Sequence, residues 1–351
     1  MKLIDYSCDQ INAMRENEPN VLISKHSTPI IYLDTCLLIE FSKYKNGCCD
    51  NSYQKDIAEL YETLLSLMKS NGIICVLGNQ MAEMGATQNR EEARRFLHDF
   101  TNAVFLEPFE IEDMQLHYGY DAFVNSQKEI KLSSEEIFEK PRHTRGVNVK
   151  ISSDIIYTQE KAKKLRQDKE KLAGRLNDAK KSGMVSTDYE EQFKTELKAD
   201  LAIHLHKLEH CYDSIEDFEQ YIDHKGRICE LVGVDLSNYD NDDYKKDYIK
   251  AVKYYGYFLL SKCHHKLPYI WIRSTLFTHL MQRQNNVTHS DHLDIKWASA
   301  YLPFVDYAVT DIKFSNLLNN SGLSKKYNTK VYNMKTLKDL LNELNAKQLC
   351  K

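Results

Sequence analysis

The sequence predicts an α/β protein built on a parallel sheet and interrupted by a large, all-helical insertion. Three observations lead there. Short apolar runs that end in an acid alternate with helical periodicity at both ends of the chain, and roughly 170 residues between those ends carry little strand signal. A composition of 42% hydrophobic and 28% charged residues is that of a chain able to bury a full core. At 351 residues, two units or one domain with an insertion fit the length.

The first strand is residues 29–34, Pro-Ile-Ile-Tyr-Leu-Asp, an apolar run with Asp34 at its end. Residues 35–43 and 53–70 repeat apolar positions at i, i+3, i+4 and i+7. They read as two helices around a polar NGCCDN loop, the second stopped by Ser70-Asn71-Gly72. Residues 72–77 make a second strand, Asn79 caps a helix carrying Glu83 in its first turns, and residues 103–107 (AVFLE) form a third strand. Strand, helices, strand, helix, strand is the order of a parallel sheet.

From about Ile111 the pattern is helical. Residues 155–182 and 189–222, broken by Gly183 and Ser186, read as a helical hairpin; 243–262 is a further helical stretch, and 269–284 follows Pro268 as another. The alternation then resumes: a helix over 292–301, a strand over 306–310 ending at Asp311, a helix over 312–319, a strand over 329–332 and a last amphipathic helix over 335–346. Residues 1–110 and 285–351 are thus the two halves of one α/β domain, and 111–284 is the insertion.

The formal charge of −4 and a pI near 6.4 exclude a uniformly basic nucleic-acid coat, so a nucleic-acid partner would be held by a local patch or by metal ions. Nine cysteines form an odd set without a CxxC pair, which argues against a disulfide framework or a Cys-rich zinc site and for a reducing, cytoplasmic location. No stretch approaches about 18 consecutive apolar residues, and acids stand where a signal peptide needs its apolar core, so neither secretion nor a membrane span is expected.

In an open parallel sheet, ligands bind beyond the carboxyl ends of the strands, where acids distant in sequence converge. Asp34 closes the first strand and Asp311 the strand at 306–310, Glu83 follows the second strand, and Asp291 and Asp294 begin the helix before the fourth. Like charges so placed raise one another's pKa unless a cation compensates. Oxygen donors without Cys or His suit one or two Mg²⁺ or Mn²⁺ ions, and the chemistry that uses such a set is metal-assisted phosphodiester hydrolysis. Structural roles are open to the same residues, because Asp34 and Asp311 can cap the helices that follow them and Glu83 can favour a helix dipole.

The segments Ile31-Tyr-Leu-Asp34-Thr-Cys-Leu-Leu, Asn79-Gln-Met-Ala-Glu83-Met and Asp291-His-Leu-Asp294, followed by Leu302-Pro-Phe-Val-Asp306-Tyr-Ala-Val-Thr310-Asp311, resemble in order and placement the acidic motifs of PIN-domain nucleases. The last is the most specific and is similar to the longer bacterial PIN-like proteins. The resemblance covers about residues 28–107 and 285–347 and leaves the insertion unexplained. It implies a three-layer α/β/α sandwich and a metal site of Asp34, Glu83, Asp294 and Asp311, with either Asp291 or Asp294 as the inward acid of that pair. It also implies Mg²⁺ or Mn²⁺, and cleavage of RNA more than of DNA. By analogy it implies a toxin or phage-defence effector, with a regulatory protein docked on the insertion; the oligomeric state stays open, a homo-oligomer included. The alternative is a PIN-like module that binds RNA or a partner protein without cutting, against which the intact acids count.

Other motifs carry less. Residues 140–181 hold 13 Lys+Arg against five acids, either a phosphate-binding face or a solvated helix surface. Tyr248, Tyr255 and Phe258 recur at helical spacing, which means core packing more often than base stacking. Cys263-His264-His265 places adjacent residues on different helical faces with no matching ligand pair in view, so no metal site is expected there. A phosphatase of the haloacid dehalogenase type would need a second acid two residues after Asp34, where Cys36 stands.

Overall fold

The computed structural model describes residues 7–47, 52–76, 100, 102–103, 106–138, 159–213, 242–288 and 290–349. In chain order the elements are α1 (Cys8–Glu16), β1 (Asn20–Ser24), β2 (Ile30–Leu33), α2 (Thr35–Lys45), α3 (Gln54–Lys69), β3 (Ile74–Val76), α4 (Pro108–Val124), β4 (Glu129–Ser133), α5 (Gln159–Lys181), α6 (Tyr189–Asp213), α7 (Asp242–Leu259), α8 (Lys262–Lys266), α9 (Pro268–Gln282), α10 (Asp291–Tyr301), β5 (Tyr307–Val309), α11 (Ile312–Asn320), α12 (Leu323–Lys326), β6 (Lys330–Tyr332) and α13 (Leu337–Leu349). The protein is mixed α/β with a parallel sheet. Among the described residues no helix is long and apolar enough to cross a membrane.

The chain forms two compact units. One comprises Met1–Ile23, Phe109–Leu132 and Ser186–Thr278, the other Ser24–Pro108, Ser133–Val185 and His279–Lys351. The stretch read from the sequence as one insertion, 111–284, contributes to both.

The second unit is organised by a four-stranded sheet in the order β3-β2-β5-β6, every pair parallel. β2 is wholly apolar because a parallel strand is covered on both faces, and Ile30, Ile31 and Leu33 have no exposed surface. Alternate residues Ile31, Leu33, Cys75, Tyr307 and Val309 share one core with Leu37, Leu38 and Phe41 of α2, Leu60 and Leu64 of α3, and Leu340, Leu341 and Leu344 of α13. These helical positions are the i, i+3, i+4 stripes of the sequence. Tyr32, of the opposite parity, stacks on Tyr301 of α10 with ring centroids 6.1 Å apart.

Helix α3 ends as its sequence requires. Asn71 adopts a left-handed φ of 53°, its N–H donates to the Met68 carbonyl at 3.2 Å, and the Gly72 N–H donates to the Leu67 carbonyl at 2.7 Å. β5 is registered against β2 by Asp306, whose N–H donates to the Ile30 carbonyl and whose Oδ2 accepts the Ile30 N–H, both at 2.8 Å. The Lys25 ammonium ties the approach to β5, donating to the carbonyls of Val305 at 2.6 Å and Asn328 at 2.8 Å.

The third strand expected at 103–107 is not found at Ala103, Leu106 or Glu107, and Val104 and Phe105 lie outside the described residues. A side chain occupies the ladder position instead. The Asn102 carboxamide accepts the Cys75 N–H at 3.1 Å and donates to the Ile73 carbonyl at 2.8 Å, pairing the edge of β3 as a further strand would.

The first unit is mostly helical, with one correction to the sequence reading. β1 and β4 pair as a two-stranded sheet; β4 lies in the stretch where little strand signal was expected, and β1 precedes the first expected strand. The signal was present in β4 as alternation, with Ile130 and Leu132 buried and Glu129 and Lys131 exposed, but over only five residues. α6 is described to Asp213, and residues 214–222 of the expected helix lie outside the described residues. Tyr120, Phe123, Tyr255 and Phe258 form a buried ring cluster, with Tyr120 and Phe258 edge to face at 5.8 Å. The helical spacing of Tyr255 and Phe258 therefore reports packing.

Replacing the Asn102 carboxamide by a side chain of similar size tests its role as a strand substitute. We expect Asn102→Leu to cost about 1–3 kcal/mol in urea unfolding, since the Cys75 N–H and Ile73 carbonyl lose their partner, and to speed hydrogen exchange at Cys75. Unchanged exchange at Cys75 would show that the sheet edge does not depend on this side chain.

Candidate functional site

Asp34 and Asp311 sit where two neighbouring parallel strands end. The Asp34 N–H continues the ladder to the Val309 carbonyl at 2.9 Å, and its Oδ1 caps α2 by accepting the Thr35 N–H at 2.7 Å. Asp311 caps α11 in the same way, Oδ1 accepting the Phe314 N–H at 2.8 Å. Because Leu33 pairs with Val309, the two acids follow β2 and β5 in near register. The capping role foreseen for both is therefore real, and it coexists with their convergence.

Cys36 reports that convergence. Burial first, then the charge and hydrogen bond of Asp34, then the charge of Asp311, push its thiol far above the ordinary range. A cysteine held protonated in this way is no nucleophile. Asp294 of α10 lines one cleft with Asp34 and Thr310, and Tyr32, Trp297 and Tyr301 supply aromatic lining. Trp297 and Tyr301 stack with centroids 5.5 Å apart, and both are buried. Glu83 and Asn79 lie outside the described residues.

Asp291, one helical turn before Asp294, is committed elsewhere. Its carboxylate accepts the Thr288 N–H at 2.5 Å, the Thr288 hydroxyl at 2.8 Å and the Arg283 guanidinium at 2.7 Å, and Lys313 of α11 lies at 2.9 Å. Burial raises its pKa, but these donors outweigh it and hold the carboxyl below its ordinary value. Of the two acids left open by the sequence, Asp294 lines the cleft and Asp291 is a buried ionic tie between α10 and α11.

Part of the basic stretch is likewise structural. Lys180 of α5 donates to the carbonyls of Arg283 at 2.6 Å and Asn285 at 2.7 Å, while Asn177 exchanges two hydrogen bonds with Val287. Together they hold the segment that leads into α10. Residues 140–158 of the stretch lie outside the described residues.

A second cluster, in the helical unit, went unrecognised in the sequence. Asp200 and His204 lie one turn apart on α6, and His264 of α8 meets them, with their ligand atoms all within 4.8 Å of one another; this buried group could hold a metal ion. The sequence reading found no matching ligand pair for Cys263-His264-His265, and the fold supplies one for His264. Neighbours in that triplet do diverge, Cys263 Sγ donating to the Asn17 carbonyl, but the matching ligand pair is the i, i+4 pair Asp200 and His204 about sixty residues earlier. Arg273 of α9 pairs with Asp200 and, at 3.1 Å, with Glu112 of α4. His204 Nε2 lies 3.6 Å from Glu112 and 3.9 Å from Asp200.

His264 is 1% exposed, neither ring nitrogen has a hydrogen-bond partner, and Asp200 Oδ2 has none. Buried polar atoms left so cost about 1–3 kcal/mol each. Burial first, with the nearby His204, His265 and Arg273, pushes the His264 pKa well below 6.5, so its imidazole is neutral.

The Asp291 tie makes a pH-dependent contribution to stability. Its folded-state pKa lies below the unfolded value of about 3.9, so that contribution is fully present above about pH 4 and is lost as pH falls through the folded-state pKa. We expect Asp291→Asn to cost about 2–4 kcal/mol at pH 7, and the gap to wild type in urea melts to close on acidification below about pH 4. A gap that is constant with pH would rule out the ionised carboxylate as its source.

A scan against protein-family models, a search of curated proteins and a search of solved structures each return no match for this chain.

Proposed function

We propose that the protein is a PIN-like endonuclease that hydrolyses phosphodiester bonds with Mg²⁺ or Mn²⁺, acting on RNA in preference to DNA. One observation carries the reading: Asp34 and Asp311 end adjacent parallel strands, and Asp294 lines the cleft beside Asp34. Helices packed against one face of the sheet and Tyr301 of α10 stacked on Tyr32 of the other support a sandwich of the PIN type.

The donor set fits the ions. Asp34, Asp294 and Asp311 offer only carboxylate oxygen, and Arg283 and Lys313 pair with Asp291. Hard oxygen donors favour Mg²⁺ and Mn²⁺ over softer metals. Bound there, the ions would neutralise the substrate phosphate and lower the pKa of an attacking water. The chain's own residues do the positioning. The cap bonds at Oδ1 fix the orientation of Asp34 and Asp311, and the Asp291 tie fixes the first turn of α10 and hence Asp294. Glu83 joins the set on the strength of the motif resemblance. On the same reading, growth arrest on expression of the wild type, relieved by an inactive variant, would mark a toxin or defence effector.

End-labelled single-stranded RNA, tRNA and DNA, incubated with Mn²⁺ or Mg²⁺ and with EDTA, test the activity. Asp34→Asn and Asp311→Asn remove charge while keeping a side chain that can cap a helix. We expect each to lower cleavage by at least about 100-fold, beyond the usual cost of losing an outer-shell partner of a metal site, with circular dichroism unchanged. Cutting that survives EDTA and both variants would exclude the carboxylate cleft as its source. Absence of cutting by the wild type on every substrate would favour the non-catalytic module.

A further inference from the structure

We propose that Asp200, His204 and His264 bind a divalent first-row transition ion, with Zn²⁺ as the occupant, as a structural cross-link between α6 and α8. The site is separate from the carboxylate cleft and does not depend on the nuclease reading.

Geometry supplies the first support. Three ligand atoms of the right chemistry, one carboxylate oxygen and two imidazole nitrogens, lie within 4.8 Å of one another, so that side-chain shifts of about 1 Å bring them to the roughly 3.3 Å separations of a tetrahedral centre with ligands about 2 Å away. The i, i+4 spacing of Asp200 and His204 puts both on one face of α6, and the rings of His204 and His264 meet edge to face with centroids 5.8 Å apart. Phe258, whose ring stands at 88° to that of His264 at 5.5 Å, packs against the second imidazole.

Unsatisfied atoms supply the second. A histidine buried in a helical core normally donates through one ring nitrogen and accepts through the other. His264 does neither, and Asp200 Oδ2, the oxygen of that carboxylate that Arg273 does not take up, also lacks a hydrogen-bond partner. A cation between them would engage Asp200 Oδ2 and one ring nitrogen of His264 at once.

The surroundings supply the third. Arg273 bonds the carboxylates of both Asp200 and Glu112, the kind of outer contact that orients metal ligands. Imidazole donors select Zn²⁺ or its transition-metal neighbours over Mg²⁺, which separates this site from the all-oxygen cleft.

The test uses the full chain purified without chelator. Elemental analysis after dialysis is expected to find about one tightly held Zn²⁺ per chain in the wild type and in the Asp34→Asn/Asp311→Asn protein, and none in His204→Gln or His264→Gln. Since the His264 variant removes a core side chain, a second readout avoids reliance on it. Co²⁺ added to metal-stripped, folded wild type should give the visible absorption of a low-coordinate site, persist in the double aspartate variant and raise the melting temperature. Absence of both retained Zn²⁺ and a Co²⁺ spectrum in folded wild type would overturn the proposal. A Co²⁺ spectrum that survives His204→Gln but disappears from the double aspartate variant would equally overturn it, by assigning the ion to the cleft.

Discussion

The second unit depends on the ladder between β2 and β5. It joins residues far apart in the chain, Ile30 and Asp306 being separated by 276 positions, yet the entropy of closing such a connection exceeds that of a ten-residue loop by only about 3 kcal/mol. Register is what the ladder must supply. A slip by one residue would exchange the faces of Ile31 and Tyr32 and draw Asp34 out of step with Asp311. Asp306 opposes that slip with two hydrogen bonds to one residue, and the Asp34 N–H, bonded to Val309, fixes the other end. Packing of the sheet and convergence of the acids thus rest on the same few backbone contacts.

Economy of carboxylates follows from this. Asp34 and Asp311 each satisfy a helix terminus with one oxygen, so the helices hold the same side chains that the strand ends bring together. In the first turn of α10 the work is divided: Asp291 meets Arg283, Lys313 and Thr288, and Asp294 lines the cleft. Lys180 and Asn177, holding the chain just before α10, make the position of that turn depend on α5 as well.

Features encoded locally were legible in the sequence. The apolar run ending at Asp34, the Ser70-Asn71-Gly72 stop and the buried stripes of α2 and α3 each follow from neighbours within a turn or a strand. Features made by distant partners were not. The choice between Asp291 and Asp294 turns on Arg283 and Lys313, whose side chains reach one of the two only in the folded chain. Asn102 reads as an ordinary loop residue until β3 presents its edge. Asp200 and His204 did carry a local sign in their one-turn spacing, but it gains meaning only beside His264. β1 and β4 were missed because five residues of alternation make a weak signal.

The Asn102 carboxamide has a consequence for how this protein behaves among copies of itself. A parallel sheet of short strands exposes two rows of backbone donors and acceptors, and either row is a template on which another chain can add a strand. At β3 the Asn102 side chain already bonds the edge, and at β6 the exposed Lys330 places a charge on a strand only three residues long. Both borders thus discourage strand addition, which protects a chain whose β2 and β3 must wait for β5 and β6, more than 200 residues later, from recruiting a neighbour in their place.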